Sequence, residues 1–145
     1  MMEKLNDKKH KNYTISTDKR KLDLEIIHDF LANTSYWAEG RPLGIVRESI
    51  ENSLCFGIYI GTEQAGFARV VTDYVTFAWV CDLFILKDHR GNGLGKWLIK
   101  FIVAYPELQG LKNMLLATKD AHKMYRKYGD FEELSVPSKW MHRAT

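Results

Sequence analysis

The sequence predicts a single α/β (α+β) domain built on a mixed central sheet flanked by helices, and three observations carry that prediction. The chain has 145 residues, enough to bury one proper core and too few for two. Residues 79–105 read as an apolar strand, a glycine-rich turn and an amphipathic helix, in that order. Around this unit a hairpin and further helices are followed by strand, helix, strand and helix, so antiparallel pairs and a parallel crossover meet in one sheet. At 46% hydrophobic and 27% charged residues the composition is that of an ordinary globular protein.

Taken in order, residues 1–11 hold Lys4, Lys8, Lys9 and Lys11 with no apolar run beside them. They read as a basic, solvated tail ahead of a domain at 12–145. A strand at 12–16 places Tyr13 and Ile15 on one face. Thr17 and Asp18 offer caps for a helix whose stripe is Leu24, Ile27, His28 and Leu31, ending near 33–34. The loop 35–42 concentrates Tyr36, Trp37, Glu39 and Arg41 between two helices, the mixture found in recognition loops and equally in aromatic plugs of a core. Pro42 suits the first turn of the second helix, with Ile45, Val46 and Ile50 on its apolar side. Strands at 54–60 and 65–72 are joined by a hairpin turn at 61–64. Asp73 and Tyr74 form a bend before the strand at 76–86.

The central helix carries Leu94, Trp97, Leu98, Phe101, Ile102 and Tyr105 at steps of three and four, and Pro106 stops it. A strand follows at 113–117, entered in parallel with 76–86. Asp120 is a cap candidate for a short helix through Tyr128, with Gly129 at its end, and 131–136 reads as one last strand.

Three glycines, at 91, 93 and 95, stand at the junction of the central strand and helix. Glycine permits left-handed dihedrals and close approach of a ligand to the backbone, and the amides of a helix start favour an anion. The turn is therefore either a pyrophosphate cradle or a tight connection. The dinucleotide fingerprint fails because position 96 is Lys96. The P-loop fails because Arg90 replaces its first glycine and Trp97 its Ser or Thr. The pattern that fits is R-x-x-G-x-G, in Arg90-Gly91-Asn92-Gly93-Leu94-Gly95.

With its preceding strand and following helix, that motif resembles the central signature of the GNAT superfamily of acetyl-CoA-dependent N-acetyltransferases. A second segment resembles the family's C-terminal pattern through Ala121, Tyr125, Lys127 and Gly129. It departs from the pattern at Thr118, where asparagine is usual, and at Asp130, which delays the expected phenylalanine to Phe131. The resemblance covers nearly the whole chain after the tail and implies the GNAT arrangement of sheet and helices. It implies acetyl-CoA as co-substrate, held by the backbone of Leu83, Phe84 and Ile85 along the pantetheine and by Gly91, Asn92, Gly93, Leu94, Gly95 and Lys96 at the pyrophosphate. Arg90 and Lys96 add charge, and Thr118 and Tyr125 lie beside the cofactor. It also makes Tyr125 the acid that protonates the departing thiolate, since a phenol stays protonated at neutral pH.

The base is open between Asp82, an acid inside an apolar strand and opposite Leu83 and Ile85 if that strand is regular, Asp73, and a chain of water with no side-chain base. Tyr36, Trp37, Arg41, Asp73 and Tyr74 are the candidates for contact with the amine acceptor. The expected reaction moves an acetyl group to a primary amine of a small molecule or peptide in a ternary complex. A rival of another class is a non-catalytic acyl-CoA-binding module. A nucleic-acid binder lacks the interleaved aromatics of single-strand readers. The five histidines have no metal-ligand spacing, and neither G-x-S-x-G nor H-E-x-x-H occurs, so no metal and no hydrolase of those kinds is expected. Cys55 and Cys81 read as core thiols of a reducing compartment. With no signal-peptide core and no spanning segment, the expectation is cytoplasmic, without membrane partners. A homodimer is compatible with such a fold.

Overall fold

The computed structural model describes residues 9–144, so most of the basic arm, including Lys4 and Lys8, lies outside the described residues. Among the described residues six strands form one sheet in sequence order. They are β1 (Lys9–His10), β2 (Tyr13–Ser16), β3 (Leu54–Ile60), β4 (Glu63–Thr72), β5 (Phe77–Ile85) and β6 (Asn113–Leu116). Neighbours pair antiparallel except β5 and β6, which run parallel from Phe77 opposite Asn113 to Val80 opposite Leu116. Four helices complete the domain: α1 (Leu24–Asn33), α2 (Leu43–Glu51), α3 (Leu94–Val103) and α4 (His122–Gly129).

Alternation along β3 shows how the layers form. Leu54, Phe56 and Ile58 join α3's Leu94, Trp97, Leu98, Phe101 and Ile102 in one core. Cys55, between them in sequence, faces the other way, into a core with Ile27, Phe30 and Leu31 of α1 and Val46 and Ile50 of α2. Each fully buried side chain such as Leu98 or Ile27 contributes about 1.5–3 kcal/mol relative to exposure.

The elements follow the sequence pattern with local differences. α1 is capped by Asp23, whose carboxylate accepts from the Ile26 amide, while Asp18 caps a short 3-10 turn at Lys19–Lys21. Ile45 is 53% exposed, because α2 turns Val46 and Ile50, one turn apart, onto the core. The sheet starts at Lys9, within the stretch expected to be a tail: Lys11 and Asn12 adopt positive φ (48° and 70°) and fold β1 back on β2. No strand forms at 131–136. Pro137, lacking an N–H, opens a 3-10 turn there, and Leu134 and Val136 are exposed.

Candidate active site

The glycine turn links β5 to α3. Gly91 and Gly93 have φ of +84° and +74°, conformations a side chain resists, and Gly93 is the N-cap of α3. The first helical bond there runs from the Trp97 amide to the Gly93 carbonyl. Among the described residues, no acceptor meets the amides of Gly91, Asn92, Gly93, Leu94, Gly95 and Lys96. Six consecutive free N–H groups at the start of a ten-residue helix fit a pyrophosphate, by hydrogen bonding and by the helix dipole together. The Arg90 side chain folds back, its Nε donating to the Ile85 carbonyl at 3.0 Å. Lys96 places its ammonium 5.3 Å from the Tyr128 ring centroid, where Lys100 and Lys127 also gather.

β5 leaves an edge beside this turn. Its ladder with β6 stops at Val80, whereas β5 continues to Ile85, so residues 81–85 have no strand partner on that side among the described residues. An extended ligand can add there as a strand would. Leu83 and Ile85 pack toward the α3 core, and Phe84 stacks on Phe30 at 4.1 Å in the other.

A β-bulge sits in the same stretch. Arg69 pairs with Cys81 and Phe67 with Phe84, so Ala68 alone faces both Asp82 and Leu83. Asp82 takes φ +53°, tolerable for Asp in a way it is not for a branched residue. Ala78 and Val80 face α3, and in a regular strand Asp82 would follow them; the bulge turns it toward α1 and α2 instead. Asp82 is 4% exposed and both its oxygens are engaged. Trp37 Nε1 donates to Oδ1 at 2.9 Å, and Arg41 Nη1 and Arg69 Nε each donate to Oδ2 at 2.9 Å. Three donors take three of the roughly four lone-pair positions of the carboxylate and leave one on Oδ1.

Tyr125, on α4, completes the group. Burial, then the neighbouring Tyr36 phenol and Cys81 thiol, push its pKa up to about 12, so it is a protonated donor at neutral pH. Its hydroxyl bonds to no described residue, while its backbone carbonyl accepts from the amides of Asp130 and Phe131. Asp130 absorbs the extra residue of the motif in a left-handed conformation (φ +57°), and Phe131 then packs edge-on against the Tyr125 ring at 5.8 Å. Gly129 is required beneath it: a Cβ there would lie 2.8 Å from Ile99 and from the Phe131 ring. Thr118 accepts from the Ala121 amide at 3.1 Å in the turn before α4, and no side chain, Asp120 included, caps that helix.

The acetyltransferase (GNAT) family profile matches residues 24–130, most of the chain. The chain belongs to the GNAT acetyltransferase family. A solved protein of the GNAT family from Xanthomonas campestris is 42% identical, with a TM-score of 0.90 over 94% of this chain and 96% of that one. The Gibberella zeae protein named "Putative acetyltransferase FG08082" is 30% identical over 156 aligned residues, 86% of this chain and 87% of its own. A GNAT protein from Elizabethkingia anophelis, solved with acetyl-CoA bound, shares the fold at a TM-score of 0.60 and 14% identity, over 81% of this chain and 75% of that one.

Within this GNAT domain the structure gathers Tyr36, Trp37, Arg41, Asp82 and Tyr125, but not Asp73 and Tyr74. Those two lie in the β4–β5 turn, at least five strand residues from Asp82, about 16 Å at roughly 3.3 Å per residue. The Asp73 carboxylate accepts from the amides of Val75, Thr76 and Phe77 and from the Thr76 hydroxyl, which hold its pKa well below the carboxylate range. Tyr74 sits beside Tyr105 and Glu107 and is pushed up, first by partial burial.

Other contacts carried no motif. His28 Nε2 donates to the Arg41 carbonyl at 3.1 Å and fixes the 34–42 loop. The Lys119 amide donates to the Tyr36 hydroxyl, tying that loop to the one before α4. At the glycine turn, His10 donates to the Asn92 carbonyl at 3.0 Å and stacks on Trp97 at 5.0 Å. His89 takes the Tyr13 hydroxyl at 2.9 Å and reaches Glu63 at 2.8 Å.

Proposed function

We propose that this GNAT protein transfers an acetyl group from acetyl-CoA to a primary amine of a small molecule or peptide, by direct attack in a ternary complex. The observation that carries the reading is the open edge of β5 at 81–85 leading into six unpaired amides of the glycine turn, with a partly buried Tyr125 whose hydroxyl bonds to no described residue. A long ligand with an amide-rich arm and a pyrophosphate matches that sequence of partners.

Bound acetyl-CoA supplies a thioester carbonyl open to a nucleophile. The amine lone pair forms the new C–N bond and the C–S bond breaks, leaving an amide and free thiol. An N–H of the β5 edge at Leu83 to Ile85 is placed to stabilise the charge developing on the carbonyl oxygen. Tyr125 gives its proton to the departing sulfur and regains one from solvent. The amine enters unprotonated, its ammonium proton already lost to water, and once the C–N bond has formed the nitrogen gives up one further proton to water as the amide is completed. Asp82, engaged by Trp37, Arg41 and Arg69, serves to hold those groups at the acceptor side.

The test is a thiol-release assay over polyamines, aminoglycosides, amino acids and peptide N-termini, run beside calorimetric titration with acetyl-CoA. Transfer to at least one amine class is expected. Tight acetyl-CoA binding without release to any amine would leave a cofactor-binding module in place of an enzyme.

A further inference from the structure

Around Asp82 the charges do not balance. Arg41 and Arg69 both bond to the one carboxylate, Arg69 also donating to the Ser53 hydroxyl at 3.0 Å. Two guanidinium groups and one carboxylate leave a surplus positive charge, with the Trp37 indole bonded to the same carboxylate. The neighbouring Tyr125 and Cys81 contribute no negative charge at neutral pH, their pKa values lying at about 12 and about 11. Glu39, the only acid of the 34–42 loop, makes no ion pair among the described residues. Lys119 adds a further cation, its ammonium 5.4 Å from the Tyr36 ring centroid.

A partly buried cation without a counter-charge is costly, and a ligand anion relieves that cost. Arg41 is the more reachable of the pair, its side chain 22% exposed against 15% for Arg69. It has donated one of its N–H groups to Asp82, and the remaining edge of the guanidinium fork matches a two-oxygen anion. The one negative charge of Asp82 is already shared by two guanidinium groups, so a polyamine meets a net like charge here.

We propose that the acceptor is an amine that also bears an oxyanion, a carboxylate as in an amino acid, docked on the open edge of Arg41 with its amine toward Tyr125. Asp82, itself bonded by Trp37, holds Arg41 for that contact. The proposal rests on the acetyltransferase reading for its chemistry, but its docking contact is measurable without turnover.

The experiment compares matched pairs on the full chain. Thiol release is followed with amino acids against their carboxamides, with phosphoethanolamine against ethanolamine, and with spermidine. Calorimetry on the CoA-loaded protein compares N-acetyl amino acids with N-acetyl amino acid amides. The acid is expected to exceed its amide by at least tenfold in kcat/KM and in affinity, and Arg41→Gln to erase most of that gap. Arg41→Lys should retain part of it, with melting curves verifying that both variants are folded. A phosphate arm above the carboxylate arm would overturn the carboxylate assignment. Equal binding of acid and amide probes, or spermidine as the best acceptor, would overturn the site itself. Preferential binding of acids without release to any amine would support the site and refute the transferase reading.

Discussion

Arg69 and Asp82 meet across a break in register: Arg69 is the ladder partner of Cys81, yet its Nε donates to Asp82 at 2.9 Å. One extra residue in β5 makes this possible. It brings Cys81 and Asp82 to the same side as Arg69, and it alters the course of the strand where β5 outruns β6. The same irregularity therefore serves both halves of the site. It aims an acid at the loop that carries Trp37 and Arg41, and it lies in the edge offered to an extended ligand.

Asp82→Asn should separate a holding role from proton abstraction. The substitution keeps the shape and leaves two partly buried guanidinium groups without their carboxylate. A stability loss of about 3–5 kcal/mol is expected, the scale for removing one partner of a buried pair. In the folded fraction the acceptor KM should rise while the pH profile of kcat keeps its shape. A fall in kcat of a hundredfold or more with loss of the acid limb would instead make Asp82 the base.

Much of this architecture was legible in the chain. The helical stripes of α1 and α3 follow from periodicity, β5 from its apolar run, and the parallel entry of β6 from the rule for a strand–helix–strand crossover. The glycine turn at the β5–α3 junction and the place of Tyr125 on α4 match the two motifs. The bulge was not legible, since a single extra residue leaves the apolar run of β5 unchanged: Asp82 lies opposite Leu83 and Ile85 as expected, but off the face of Ala78 and Val80 that a regular strand would give it. Asp73 shows the opposite limit: an acid in a polar bend looks the same in sequence whether it meets a substrate or four donors of its own turn. His10 sat in a basic stretch with no pattern, and only the fold of β1 on β2 brings it to Asn92.

The glycine turn gives a pair of contrasting variants. Gly93→Ala forces a side chain into φ +74°, at a cost of about 1–2 kcal/mol, and should loosen both the turn and acetyl-CoA binding. At Gly95 a Cβ would meet Met124 Sδ at 3.5 Å and Ile85 at 4.0 Å, ordinary contacts inside a helix. Gly95→Ala should hold or gain stability, by up to about 1 kcal/mol, and still weaken acetyl-CoA binding by adding a methyl group beside the β5 edge. Calorimetry and thermal melting of both variants check the contrast. Unchanged affinity in the two would displace the pyrophosphate from this turn.

The β1–β2 hairpin acts on the same turn from behind. His10→Ala removes the bond to Asn92 and the stack on Trp97, so acetyl-CoA should bind several-fold more weakly, in line with about 0.5–1.5 kcal/mol for one hydrogen bond. Acceptor KM at saturating acetyl-CoA should not change. A shift in acceptor KM with cofactor affinity intact would show that the hairpin acts elsewhere.

The two thiols make a pH prediction. Burial pushes Cys55 up to about 12 and Cys81 up to about 11, from an ordinary 9.0; Arg69 opposes both shifts. The folded state thus holds these protons more tightly than the unfolded chain does. Their contribution to stability is complete below about pH 9 and is lost as pH rises toward 11 and 12. At pH 8 iodoacetamide should react slowly, with the partly exposed Cys81 ahead of the buried Cys55. Acetyl-CoA should protect Cys81 if the ligand lies along β5. Peptide mapping after timed alkylation reads the order, and rapid labelling of Cys55 in the folded protein would contradict the packing of β3 against α2.

Tyr125→Phe is the most direct test of the chemistry. The variant keeps the ring that packs on Phe131 and removes the only proton the side chain can give. If Tyr125 protonates the departing sulfur, kcat should fall by roughly 10²–10⁴, the range of a positioned acid. Acetyl-CoA affinity should change little, since the hydroxyl is a small part of a long ligand's contacts. Stability should change by less than about 1 kcal/mol, because the hydroxyl makes no bond to the described residues that the mutation could break. The wild type adds a second signature: with the phenol at about 12, kcat should show no alkaline loss from this group until pH passes about 11. Pre-steady-state kinetics must establish that chemistry limits the rate. An unchanged kcat under that condition would remove Tyr125 from the mechanism and leave water to protonate the thiolate.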